Sequence, residues 1–246
     1  KAVEKVDFEK KILITNDSKS QTYDSLLIAT GSKNKKLNFG ENNKDINNGI
    51  LYLRNIDDSK KIKKAIQKHN RFAIVGGGFI GLEIASSIAQ LGKIAHVIEM
   101  GSQLMGRVIP QKIASLVLDY HEKNGNSIFL NSNILSIKKT NNEYQIDLNN
   151  NNQINVDFII AGIGSIANVD LFENTSLKLD NGIVIDEFCR TSVEDVFAAG
   201  DGANFFHPFY GTQMRLESYQ HAQNHGIAAA KNILGLNSPY IQIPWM

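Results

Sequence analysis

Cysteine is nearly missing from this chain: Cys189 is the only one in 246 residues, so an internal disulfide is excluded. That scarcity fits a reducing compartment, and a cytoplasmic location is expected. Long hydrophobic runs are lacking too. Each apolar run breaks within about ten residues, against the roughly 20 that a membrane-spanning helix needs, so no membrane role is expected. Neither sign of charge is in excess. Lys and Arg number 26 and Asp and Glu 25, a net charge of +1, and no basic run is dense enough for nucleic acid. Lys33–Lys36 and Lys60–Lys64 read as solvated faces. Metal-ligand spacing is also absent. His69, His96, His121 and His207 are scattered, and His221 and His225, four apart, lack the glutamate of H-E-x-x-H. Lys1–Lys11 is charged throughout and shows no secretory signal. The chain opens on Lys rather than Met, so residues are expected before it. What remains is a globular composition, 42% hydrophobic and 21% charged with mean hydropathy −0.21, long enough for one large domain or two ordinary ones.

The most informative stretch is Phe72-Ala73-Ile74-Val75-Gly76-Gly77-Gly78-Phe79-Ile80-Gly81-Leu82-Glu83. An apolar strand enters a G-x-G-x-x-G turn, which opens a helix that ends at Gly92. A second apolar strand, Ile94–Ile98, stops at Glu99. This is a complete βαβ unit for a dinucleotide. Gly76 permits the tight turn. Gly78 lets the backbone approach a pyrophosphate, and Gly81 lets the helix pack closely on the strand. The free N–H groups at the helix start, where Phe79 and Ile80 lie, bind phosphate with the help of the helix dipole. Glu99 sits where an acid accepts hydrogen bonds from an adenosine ribose, which favours NADH over NADPH because a carboxylate repels a 2′-phosphate. The nearest arginine beyond it, Arg107, is placed to reach the adenine side.

Elsewhere the pattern alternates strands and helices. Ile12–Thr15 and Ser25–Ala29 read as strands, the second running into Thr30-Gly31-Ser32. Residues 33–48 read as a loop. Asp57–His69 reads as a helix with Ile62, Ala65 and Ile66 on its buried face. Pro110 opens another helix, with Ile113, Leu116, Val117 and Tyr120 on the expected buried face and Gly125 as its stop. Three strands should follow: Ser127–Asn131 continuing to Lys138, Tyr144–Leu148 and Ile154–Ala161. Asn149–Asn152 makes a hairpin loop, and Gly162-Ile163-Gly164 closes the last strand. Ile183–Asp186 and Val196–Ala199 read as strands, the latter ending in Gly200-Asp201. A helix runs from about Ser218 to Leu234, with Gly235 as its stop. Cys189 reads as a small buried thiol rather than a nucleophile. The two flanking pieces each carry a strand ending in glycine, and both can belong to one domain into which the other is inserted.

Taken together these blocks resemble a known family. Tyr23-Asp24-Ser25-Leu26-Leu27-Ile28-Ala29-Thr30-Gly31-Ser32, Leu53-Arg54-Asn55-Ile56-Asp57-Asp58, the G-x-G-x-x-G-x-E block and Val196–Asp201 occur in the order seen in FAD-dependent pyridine-nucleotide oxidoreductases. Arg215-Leu216-Glu217-Ser218-Tyr219-Gln220-His221-Ala222 and Ile243-Pro244-Trp245 narrow the similarity to the ferredoxin/rubredoxin reductase branch, which includes putidaredoxin reductase. The resemblance covers essentially the whole chain. It implies an α/β fold in which a Rossmann-like NAD-binding domain is inserted in an incomplete FAD-binding domain. The implied division is 1–48 and 169–240 for the FAD domain, 49–168 for the NAD domain and 241–246 for the start of a C-terminal domain. The first FAD-binding βαβ and the rest of that C-terminal domain are expected outside this sequence.

The resemblance also implies roles. Thr30 and Gly31 form the turn near the FAD pyrophosphate, Arg54 contacts FAD, and Asp201, presented by Gly200, binds a ribitol hydroxyl. Ser218 and Tyr219 begin the helix whose positive end faces the flavin's pyrimidine edge. Glu83 and Glu217 lie near the nicotinamide, and Gly164 lies beside bound NAD. Ala167-Asn168 departs from the usual Pro-Asn, and Met246 from the usual aromatic. Plainer structural readings stand beside these: Arg54 as a surface ion pair, Asp201 as a turn cap and Tyr219 as core packing. The implied activity is NADH-dependent reduction of FAD, with electrons passed to a ferredoxin or rubredoxin-type carrier. Two alternatives stay open: a disulfide- or peroxide-reducing flavoprotein, and an NADH-binding redox sensor like apoptosis-inducing factor.

Overall fold

A computed structural model describes residues 1–40, 43–106, 108–140 and 143–241. The chain divides into two compact units, Asn34–Gly164 and a pair of segments, Lys1–Lys33 with Ser165–Met246. The first of these is thus inserted, in sequence, between the two segments of the other. These limits differ from 48/49 and 168/169. Leu37, Phe39 and Ile46 pack on a core of the inserted unit, and Asn168 is tied to Gly31 by its backbone N–H (2.9 Å) and to the Thr30 hydroxyl by its carbonyl (2.8 Å).

The inserted unit is built on a five-stranded parallel sheet in the order Leu51–Tyr52, Phe158–Ala161, Arg71–Val75, Ile94–Ile98, Ser127–Phe129. Its middle strand sends alternate residues to opposite sides. Phe72 and Ile74 enter a core shared with helices Ile56–Lys68 and Phe79–Gln90, while Ala73 and Val75 enter a second core. Burial on both sides explains the unbroken apolar run. The second core is closed by a three-stranded antiparallel sheet, Ile134–Thr140, Glu143–Leu148 and Gln153–Val156, which contributes Ile137, Ile146, Leu148 and Val156.

Four local expectations are corrected here. Ser127–Phe129 does not continue to Lys138: the chain turns at Asn131 (φ 50°), and Ile134 opens a strand of the other sheet. Ile154–Ala161 is likewise two strands, parted at Asp157. Its carboxylate accepts from the backbone N–H groups of Asn70 (2.9 Å) and Arg71 (3.0 Å) and from the Arg71 guanidinium (2.7 and 3.2 Å). The 33–48 stretch holds the short helix Lys44–Gly49, whose Ile46 is buried. In helix Gln111–Lys123 the buried side is that of Ala114 and His121, with Val117 and Leu118 packed against the core. Ile113 (46%), Leu116 (61%) and Tyr120 (62%) are exposed. Two apolar series one residue apart run along this helix. The inward one contains the small Ala114, which permits close approach, and His121, whose ring is within 3.3 Å of the Asn126 amide.

In the outer unit, Leu26–Ile28 pairs in parallel with Val196–Ala198. Ile183–Ile185 pairs in parallel with Ala203–His207, which turns back antiparallel as Thr212–Met214. That hairpin has no counterpart in the sequence reading. Helix Tyr219–Ile233 is capped by the Ser218 hydroxyl, which accepts from the His221 N–H (3.2 Å), and lays Ala228 and Ala229 on the core. On its inner side His221 and His225 are fully buried, packed with His207, Phe205 and Tyr240. His221 Nδ1 lies 2.7 Å from the Tyr240 hydroxyl.

Candidate functional site

The elbow of the inserted unit lies at the carboxyl end of the sheet's middle strand. Gly76 has φ +107°, and a Cβ there would come within 2.4 Å of the Gly162 carbonyl oxygen. A Cβ on Gly81 would lie 2.0 Å from the Gly76 oxygen, so only a glycine lets the helix rest this closely on the turn. Gly78 is different. Its φ of −85° suits any residue, and an added Cβ would meet nothing within 4 Å. The fold itself does not require glycine there. Gly78 is also the N-cap of helix Phe79–Gln90, and no side chain caps that end. Its N–H groups are therefore available to an outside acceptor. Phe79 and Ile80 are exposed beside it.

Glu99 follows the neighbouring strand. One carboxylate oxygen accepts from the Gly77 N–H and the other from the Gly101 N–H, each at 2.6 Å. These bonds orient the group, and each oxygen keeps a lone pair for a further donor such as a ribose hydroxyl. Glu83 is exposed one turn into the helix. With Leu53, Ile62, Ile66, Ile84 and Leu91 it borders a cavity of about 450 Å³. Gly164 (φ +94°) is exposed after the Phe158–Ala161 strand. Arg54 precedes helix Ile56–Lys68 and donates its backbone N–H to Asp58 (3.1 Å), which also closes a capping box with Asn55. Arg107 lies outside the described residues, as do Pro244, Trp245 and Met246.

The outer unit brings Thr30-Gly31 and Gly200-Asp201 together. Both turns leave the carboxyl ends of the parallel strands Leu26–Ile28 and Val196–Ala198. A Cβ on Gly202 would meet the Gly31 oxygen at 2.9 Å, and the Ser32 hydroxyl donates to Asp201 at 3.3 Å. Clefts at such strand ends are where open α/β sheets bind ligands. Gly200 has φ +78°, and its N–H donates to His225 Nδ1 (3.3 Å). Ser218 and Tyr219 lie at the start of helix Tyr219–Ile233. Tyr219 is 81% exposed, which rules out core packing.

Arg215 was not assigned a role from sequence, although it stood in a quoted block. Its side chain is only 8% exposed. The guanidinium pairs with Glu217 (2.8 Å), donates to the Asp201 carbonyl and reaches the Asn181 side chain at 3.4 Å. Glu217 also accepts from the Ser165 hydroxyl.

Cys189 is fully buried, and burial pushes its thiol up to about 12. Burial likewise lowers His221 to about 4 and His225 to about 3. Among the described residues no group of His, Cys, Asp and Glu side chains is arranged to hold a metal, and no helix is long and apolar enough to cross a membrane.

Comparison with known proteins agrees with this geometry. The chain is 35% identical over 238 residues to the 3-phenylpropionate/cinnamic acid dioxygenase ferredoxin–NAD(+) reductase component of Photorhabdus laumondii, covering 95% of this chain and 58% of that protein. It is 34% identical over 235 residues to a rubredoxin–NAD(+) reductase of Ectopseudomonas oleovorans, covering 95% and 60%. The chain thus spans about 60% of the length of such relatives. The solved ferredoxin reductase for the CYP199A2 system from Rhodopseudomonas palustris superposes with a TM-score of 0.92 at 28% identity, over 99% of this chain and 60% of that one. Residues 1–226 match the family model described as pyridine nucleotide-disulphide oxidoreductase, and the chain belongs to that family.

Proposed function

We propose that the whole protein is an NADH-dependent flavoprotein reductase that passes electrons through FAD to a ferredoxin or rubredoxin-type carrier. NADH binding is assigned to the inserted unit, and FAD binding to the outer one. The carrying observation is Gly78: an extended glycine at an uncapped helix start, with open space where its side chain would be. A pyrophosphate fits that space and the free N–H groups. Glu99 receives the adenosine ribose, and its charge disfavours the extra phosphate of NADPH. Arg107 is assigned to the adenine side, and Phe79, Ile80 and Gly164 are assigned to bound NADH.

On the flavin side, Thr30, Gly31, Gly200 and Asp201 hold the dinucleotide chain of FAD, and Arg54 makes a further contact. The helix start at Ser218 and Tyr219 offers its positive end to negative charge on the flavin's pyrimidine edge. Glu83 and Glu217 are each assigned to the nicotinamide by the family resemblance. Held by these residues, FAD would supply the hydride acceptance from NADH and the one-electron release to the carrier. This chain's own residues bind, orient and exclude water. Its one cysteine is buried with a raised pKa, so it offers no thiolate for disulfide or peroxide reduction. The relatives' names support the carrier class. A cytoplasmic location belongs to the same proposal, supported by the near absence of cysteine.

The full-length protein should purify with FAD and lose its visible absorbance when NADH is added. A colourless, NADH-inert protein overturns the reading. Glu99→Gln should raise KM for NADH roughly tenfold and narrow the preference over NADPH, read from steady-state rates with each nucleotide.

A further inference from the structure

Arg215 is a heavily engaged cation among the described residues of the outer unit. Its guanidinium meets three acceptors on three separate pieces of chain: the Asp201 backbone carbonyl, the Glu217 carboxylate at 2.8 Å and the Asn181 side-chain oxygen at 3.4 Å. Its stem lies over Gly182, where φ is +135° and a Cβ would fall 2.6 Å from Arg215 Cδ. With its side chain only 8% exposed, the charge is largely removed from water. Burial of this kind is tolerated when the charge is paired, as Glu217 pairs it here. Asp201 lies in the turn after strand Val196–Ala198, and Glu217 lies two residues before helix Tyr219–Ile233. The turn also meets the helix further along, where the Gly200 N–H donates to His225 Nδ1 (3.3 Å), and the Glu217 carboxylate also accepts from the Ser165 hydroxyl.

We propose that Arg215 is a positioning residue for the flavin end of the site, clamping the Asp201 turn to the start of the Tyr219–Ile233 helix. The inference rests on the flavoprotein reading above. It adds that a side chain that need not touch the cofactor helps set the distance between two cofactor-facing backbone features. A lysine keeps the charge and the stem over Gly182, but it cannot reach all three acceptors with one planar fork. A methionine keeps only the stem.

The test uses the full-length protein and the variants Arg215→Lys and Arg215→Met. FAD affinity is measured by titrating the apoprotein with FAD and following flavin fluorescence. Thermal midpoints and KM for NADH are measured alongside. The expected result is a folded Arg215→Lys whose FAD dissociation constant rises roughly tenfold, with Arg215→Met weaker still. KM for NADH should change less than the FAD dissociation constant, because the Gly76–Gly81 elbow belongs to the other unit and Arg215 touches the NADH-facing residues only through Glu217. Two results overturn the positioning role. One is a folded Arg215→Lys that binds FAD as tightly as the native protein. The other is FAD and NADH binding declining together with the thermal midpoint, which marks a general folding defect. If Arg215→Met does not fold, Arg215→Lys decides. A native protein that takes up no FAD overturns the flavin reading itself, and this inference with it.

Discussion

Gly78 and Gly81 stand three residues apart in one motif, yet opposite causes require glycine at them. At Gly81 the cause is internal, since an added methyl would overlap the Gly76 carbonyl. Gly81→Ala should therefore destabilise the protein by about 1–3 kcal/mol in denaturant unfolding. At Gly78 the methyl enters empty space, so Gly78→Ala should leave the unfolding midpoint within about 0.5 kcal/mol of native. It should nonetheless raise the NADH dissociation constant, read by calorimetry, roughly tenfold by blocking the approach of a phosphate. Equal NADH binding by Gly78→Ala removes the phosphate site from this turn. Cys189 gives a third prediction at this scale. Fully buried, with burial raising its thiol to about 12, it should resist thiol reagents at pH 8 in the native protein and react on denaturation.

Between elements, Asp157 sits where strand Gln153–Val156 of one sheet gives way to Phe158–Ala161 of another, and it ties that junction to Asn70 and Arg71. Burial raises its pKa, but the bonds from Asn70, Arg71 and the Arg71 guanidinium outweigh burial, and the net shift is downward. Asp157→Ala leaves the Asn70 and Arg71 N–H groups without their acceptor and leaves the Arg71 guanidinium with Glu143 alone. A loss of about 2–4 kcal/mol in urea unfolding is expected.

The buried histidines of helix Tyr219–Ile233 act in the other direction along the pH scale. Burial holds His221 near 4 and His225 near 3, below the ordinary 6.5. The unfolded chain therefore binds these protons first. The stability tied to their neutral forms is complete above about pH 6.5 and is lost as pH falls toward 4 and then 3. Between pH 7 and pH 5 each histidine should cost about 2 kcal/mol of unfolding free energy. Replacing either by Gln should flatten that slope, as measured by urea titrations at the two pH values.

At the scale of the whole molecule, the Asn34–Gly164 unit is continuous in sequence and carries two cores on the two sides of one parallel sheet. Expressed alone, it should unfold in a single cooperative transition and retain NADH binding. A molten, NADH-inert fragment would show that the outer segments complete it. The outer unit is assembled from two distant stretches of chain whose strands Leu26–Ile28 and Val196–Ala198 pair directly. Opening the insertion should therefore disorder it as a whole.

Short-range chemistry made much of this legible from the residues alone. The Gly76–Gly81 elbow, the Ile62, Ala65 and Ile66 face, the Asn149–Asn152 hairpin and the Gly125 and Gly235 helix stops each depend on neighbours within a few positions, and each is found in the structure. Other features depended on partners far along the chain. The buried side of helix Gln111–Lys123 was decided by which of two apolar series could come closer to the core. The split of Ile154–Ala161 was decided by Asp157 meeting Asn70 and Arg71, some 86 positions away. The Arg215 clamp was hidden for the same reason: its meaning lies in the carbonyl, carboxylate and amide it joins, and only folding brings those together.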